Sequence, residues 1–119
     1  MLDYCLDKAR ELSVDTHRNA RVYAVVLDRK GRIIGEASNS FTKTHPKQGR
    51  FAKKVGQPDR QYLHAEAAAL IRALRYSSDV HTLVVGRVIR NGSSALAAPC
   101  PVCNAMIKEA GVAKVIYSV

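Results

Sequence analysis

No stretch of this chain reaches 18 consecutive apolar residues, and the opening Met1-Leu2-Asp3-Tyr4-Cys5 lacks the basic and apolar regions of a signal peptide. The reading is therefore of a cytoplasmic chain with no membrane partner. Cysteine is scarce: Cys5, Cys100 and Cys103 are the full set, too few for a disulfide scaffold and in keeping with a reducing compartment. There is no internal repeat and no low-complexity tract, which removes solenoids and disordered tails from consideration. Acidic residues are also in short supply, 10 against 19 lysines and arginines, for a formal net charge of +9. An excess of that size points to an anionic partner, a nucleotide phosphate or a polynucleotide, although a solvated basic face has the same composition. With 119 residues and 47% hydrophobic content, one domain over 1–119 with its own core is expected.

What the chain does have is His64-Ala65-Glu66 followed later by Pro99-Cys100-Pro101-Val102-Cys103. One imidazole and two thiolates supply three ligands to a tetrahedral zinc and leave the fourth position for water, so Zn2+ is the expected cofactor. Glu66 then remains unligated and available to move protons. Either half alone is weak, since C-x-x-C also serves redox pairs and structural zinc. Spacing explains the arrangement. Side chains two apart on a continuous helix diverge by roughly 200°, so His64 and Glu66 can converge only at a helix entrance. The alanine- and leucine-rich run Leu63 to Arg75 supplies that helix. Cys100 and Cys103, three apart, share a face of a second helix that has Pro101 at its first position and Gly111 as its stop. Two positive helix ends facing one metal favour thiolate over thiol.

Around these motifs, residues 2 to 16 read as a helix with Leu2, Leu6, Ala9 and Leu12 at helical spacing. Arg21 to Asp28 reads as a strand covered on both faces, Asp28 to Gly31 as a turn, and Arg32 to Ser38 as the returning strand. Leu83 to Ile89 and Lys114 to Tyr117 complete the strands. Gly86 marks a bulge or a close backbone approach. Asn91-Gly92 turns the chain, and Ser94 to Ala98 lead it back to the metal motif. The fold class is α/β, a three-layer α/β/α sandwich with a mixed β-sheet. The anomaly is the long loop from Asn39 to Leu63, kept irregular by Pro46, Gly49, Gly56 and Pro58 apart from a short helix near Arg50 to Val55. It carries Lys43, Lys47, Arg50, Lys53, Lys54 and Arg60 against Asp59 alone, and it leads into His64. Phe41, Phe51 and Tyr62 are candidates for stacking on a base or for anchoring the loop. His17 and His81 read as surface residues, His45 is open, and Cys5 reads as core.

The H-x-E and P-C-x-x-C motifs, in this order and on these elements, resemble the cytidine deaminase-like superfamily of zinc deaminases. The resemblance covers most of the chain. It implies hydrolytic deamination of a nucleotide or nucleoside with Glu66 as proton shuttle, with His64, Cys100 and Cys103 on the metal. It further implies that Asn39, closing Ile34-Gly35-Glu36-Ala37-Ser38, binds the substrate sugar. The backbone N–H of Ala65 and the carbonyl of Pro99 would flank the base. Two departures stand out: the basic loop has no close counterpart in the nucleoside deaminases, and the chain as given stops after the strand at Lys114 to Tyr117. The latter leaves an exposed edge, for which a homo-oligomer is expected. Deoxycytidylate deamination is the first expectation, and deamination of cytosine or adenine in single-stranded DNA or RNA is the alternative. A non-catalytic zinc domain, closed by His45 or Cys5 as fourth ligand, is a third reading that the free Glu66 disfavours.

Overall fold

Side chains of the strand β1 (Arg21–Leu27) divide by parity: Val22, Ala24 and Val26 pack into one layer, and Tyr23, Val25 and Leu27 into the other. This two-sided burial is what the nearly continuous apolar run calls for. The computed structural model describes residues 1–12, 21–39, 45–56 and 64–119. Strand β2 (Ile33–Ser38) returns antiparallel to β1 through a turn in which Asp28 Oδ1 accepts from the amides of Lys30 and Arg32. Gly31 takes φ 79° there, the left-handed conformation that favours glycine. On the other side of β1 lies the antiparallel strand β3 (Thr82–Val88).

Two further strands share the outer edge of β3. The short β4 (Ser94–Ala95) pairs antiparallel with Arg87 and Val88, and β5 (Lys114–Tyr117) runs parallel to Thr82 through Val85. Ser118 joins the two halves: its N–H donates to Val85 O, and its hydroxyl accepts from Arg87 N and donates to Ala95 O. The sheet is thus mixed, as expected, with a fifth short strand where the sequence reads only as a return path.

Helix α1 (Leu2–Arg10) covers one face, burying Cys5, Leu6 and Ala9 against Val25, Val84 and Val88. Helix α3 (Ala65–Tyr76), helix α4 (Pro101–Ala110) and helix α2 (Pro46–Lys54) lie on the other, in one core with Ala24, Val26, Leu83 and Val85. The three layers match the sequence reading. Glycine sets how closely both faces are approached. A Cβ on Gly35 would stand 2.5 Å from Ala69 O and 2.7 Å from Ala73 N of α3. On Gly86 it would stand 2.9 Å from Cys5 Cβ of α1. Gly86 is therefore a close approach, and the pairing irregularity lies instead between Val26 and Leu27.

Three element readings are corrected. Helix α1 ends at Arg10 instead of continuing toward residue 16, of which residues 13–16 lie outside the described residues. The buried Arg21 guanidinium accounts for the stop: its Nη1 donates to the carbonyls of Arg10 and Leu12, and its Nη2 to Ile89 O, holding the end of α1 beside the residue that follows β3. The basic segment is not irregular where it is described, since α2 runs from Pro46 across Gly49 to Lys54. Pro46 opens the helix, where its missing N–H costs nothing. His45 Nδ1 accepts from Lys47 N as the cap, and Gly56 at φ 76° follows the end. Third, α3 begins at Ala65, so His64 is its N-cap, just outside the first turn. Among the described residues no helix is long and apolar enough to cross a membrane.

Candidate metal centre

Helices α3 and α4 each begin at a residue with an extended backbone and no side-chain cap, His64 at φ −76°, ψ 155° and Cys100 at φ −72°, ψ 169°. An extended N-cap aims its side chain away from the helical array, and this lets His64 and Glu66 face one point although they are two apart. His64 Nδ1 lies 3.2 Å from Cys103 Sγ and 3.5 Å from Cys100 Sγ. The donor atoms of His64, Cys100 and Cys103 all lie within 4.8 Å of one another, the only such group of metal-capable side chains among the described residues. Tetrahedral zinc, at about 2.0–2.1 Å from nitrogen and 2.3 Å from sulfur, needs nitrogen and sulfur roughly 3.5 Å apart. The three side chains fit that requirement. They are positioned to bind a metal.

Charge at the centre follows from burial and from the close thiols. Cys100, half-buried, has its pKa pulled down to about 3, chiefly by the Cys103 thiol donating to it and also by His64. Cys103 is fully buried, and its proton is held by that same bond to Cys100 and by desolvation. A coordinating metal would deprotonate both. Glu66 is buried in the first turn of α3, and desolvation raises its pKa despite His64 nearby. A carboxyl held toward its neutral form in a dry site is suited to taking and returning protons.

The remaining expected residues fall as follows. Ala65 is the first helical residue of α3 and fully buried, so its N–H is one of those a helix start leaves without an intrahelical acceptor. Pro99 directly precedes Cys100, and its carbonyl accepts from Asn104 Nδ2 at 3.3 Å. Asn39 closes the β1–β2 ladder: its N–H donates to Val22 O, and its Oδ1 accepts from Val22 N at 3.1 Å. Cys5 lies across the sheet with its thiol donating to Val84 O, its pKa pushed up to about 12 by burial. His45 caps α2. Neither joins the metal group. Phe51 is an anchor buried in the core, while Phe41, Tyr62, His17, Lys43 and Arg60 lie outside the described residues. His81 is half-buried against Thr82 Oγ1 and is not the surface residue expected.

Sequence reasoning missed Gln48. This fully buried residue of α2 accepts the His64 backbone N–H on its Oε1 at 2.9 Å. Nothing in Lys47-Gln48-Gly49-Arg50 marks it beforehand. The exterior of α2 carries Lys47, Arg50, Lys53 and Lys54, none of them ion-paired with an acid among the described residues.

A family model for the cytidine and deoxycytidylate deaminase zinc-binding region matches residues 1–119, and the chain belongs to that family. Among solved structures it is similar to a mutant cytidine deaminase from Mycobacterium tuberculosis, at 19% identity and a TM-score of 0.60, over 98% of this chain and 80% of that one. That likeness confirms the fold. A comparison with curated proteins finds no match. Family and donor geometry together make this a zinc centre.

Proposed function

We propose that the chain hydrolytically deaminates a cytosine nucleotide or nucleoside, with deoxycytidylate, giving deoxyuridylate and ammonia, as the preferred substrate. The observation that carries this is Glu66, a buried carboxyl beside three metal donors yet outside their group. A closed structural zinc site would have no use for it. In this reading His64, Cys100 and Cys103 hold zinc, which supplies Lewis acidity that brings the pKa of water from about 15.7 toward neutral. Glu66 takes a proton from the attacking water and delivers it to the ring nitrogen. It then takes the second proton from the hydroxyl now on the ring carbon and gives it to the amine, which leaves as ammonia when the C–N bond breaks and the carbonyl forms. The Ala65 N–H and the Pro99 carbonyl orient the base, and Asn39 the sugar. A pocket of such groups discriminates by leaving them unpaired with the wrong base.

The phosphate is assigned to α2. Gln48 ties this helix to the His64 amide, and the cation next to it in sequence, Lys47, is the one assigned to the phosphate. A second reading has its own observation: Arg50, Lys53 and Lys54 carry the charge further along α2, as a strand with several phosphates would require. Ammonia release from cytidine, deoxycytidylate and single-stranded oligonucleotides over a salt series separates the two. The first reading expects fastest turnover of deoxycytidylate with a shallow salt dependence. A steep slope, several times the roughly −0.7 that one phosphate contact contributes, with faster turnover of the oligonucleotide, would replace it with the second.

The active assembly is read as a homo-oligomer, because β5 has a strand partner on one side only among the described residues, and open edges are usually covered. The compartment is read as cytoplasmic, where thiolates stay reduced.

A further inference from the structure

A glutamine with no exposed surface is a costly choice for filling a core, since its amide must be satisfied where a leucine would need nothing. Gln48 is fully buried on the face of α2 that also buries Phe51 and Ala52. Its Oε1 accepts from the backbone N–H of His64 at 2.9 Å. That N–H belongs to a helix N-cap, outside the hydrogen-bond ladder of α3. It sits on the same Cα that carries the imidazole facing Cys100 and Cys103. Fixing the amide fixes the point from which the ring swings.

We propose that Gln48 is a positioning residue for the metal ligand His64, and that α2 is through it a structural part of the metal centre. The inference rests on the reading of His64 as a zinc ligand. Outer groups that orient a metal ligand typically govern metal affinity 10- to 100-fold. The requirement here is an acceptor of a particular reach. Methionine fills the space with only a weak thioether acceptor, asparagine has the acceptor one methylene short, and glutamate offers an oxygen at the full length in either protonation state.

The test is zinc affinity by competition with a chromophoric chelator, on wild type, Gln48→Met, Gln48→Asn, Gln48→Glu and His64→Ala, beside amide hydrogen exchange at His64 in the wild-type protein. The expected result is zinc binding about 10- to 100-fold weaker for Gln48→Met and Gln48→Asn. Gln48→Glu should stay close to wild type, and the His64 amide should exchange slowly. A merely space-filling role would spare Gln48→Met. Gln48→Met holding zinc as tightly as wild type while His64→Ala loses it would overturn the proposal alone. His64→Ala holding zinc at full occupancy would overturn the ligand reading beneath it. Should the Gln48 variants fail to fold, a His64 amide exchanging as fast as an unprotected one would still overturn the proposal.

Discussion

His64 Nδ1 and Cys103 Sγ stand 3.2 Å apart although 39 residues separate them in the chain. Each belongs to the opening of a different helix, so the contact exists only when α3 and α4 are both docked on the sheet. Metal binding should therefore stabilise the fold. One zinc per chain is expected by elemental analysis, lost in Cys100→Ala and Cys103→Ala and kept in Cys5→Ser. Free zinc at about 1,000 times its dissociation constant should raise stability by roughly 4 kcal/mol. Full occupancy in Cys100→Ala would refute the assignment.

Close packing of α3 on β2 places a demand on Gly35. An alanine there meets the backbone of Ala69 and Ala73, which cannot swing aside as a side-chain tip could. Gly35→Ala should cost about 1–3 kcal/mol through overpacking. Turnover should fall too, because the displaced helix has His64 as its N-cap and Glu66 in its first turn. Gly31→Ala makes the contrast: its φ of 79° is strained for alanine by about 1–2 kcal/mol, but the turn is remote and turnover should hold. Denaturant melts and rate measurements on both variants check this, and a fully stable, fully active Gly35→Ala would contradict it.

On the opposite face, Glu36 Oε1 accepts from Tyr23 Oη at 2.5 Å and from Tyr4 Oη at 2.6 Å, fastening α1 to the hairpin. These two bonds, Tyr23 first, hold the Glu36 pKa below its ordinary value against the opposing effect of burial. A carboxylate with a lowered folded pKa contributes stability that is present above its unfolded pKa and lost as pH falls through the folded one. Tyr23→Phe should therefore cost roughly 1.5–3 kcal/mol near pH 7, as expected for a hydrogen bond to a charged group. The difference from wild type should shrink as pH drops below about 4.3. Urea melts of the pair at pH 7 and pH 3 measure it, and an unchanged difference at the two would count against the Glu36 linkage.

Much of this was legible in the sequence because its signals are local. A nearly continuous apolar, β-rich run gave β1, a proline at the first position and Gly111, found at φ 76°, bounded α4, and the ligand spacings demanded two helix entrances. Where the structure differs from the sequence pattern, the deciding contacts are distant. The end of α1 depends on Arg21 reaching back to Arg10 and Leu12, and no local stop signal announces it. Pro46 and Gly49 look like breakers inside a loop, yet the proline is a helix opener once His45 caps the turn. Gln48 is invisible in sequence because its partner, the His64 amide, is brought to it only by folding. The sugar and base contacts drawn from Asn39, Ala65 and Pro99 remain proposals of the resemblance.

Glu66 carries the central claim, and the direct measurement is ammonia release from deoxycytidylate and cytidine by purified Glu66→Ala whose zinc content has been determined. About one zinc per chain is expected, with a melting curve close to wild type and turnover reduced at least 10²–10⁴-fold, the usual cost of a lost general acid/base. A larger loss would be consistent, because one carboxyl serves several proton transfers in each cycle. A zinc-replete Glu66→Ala that deaminates at near the wild-type rate would contradict the account.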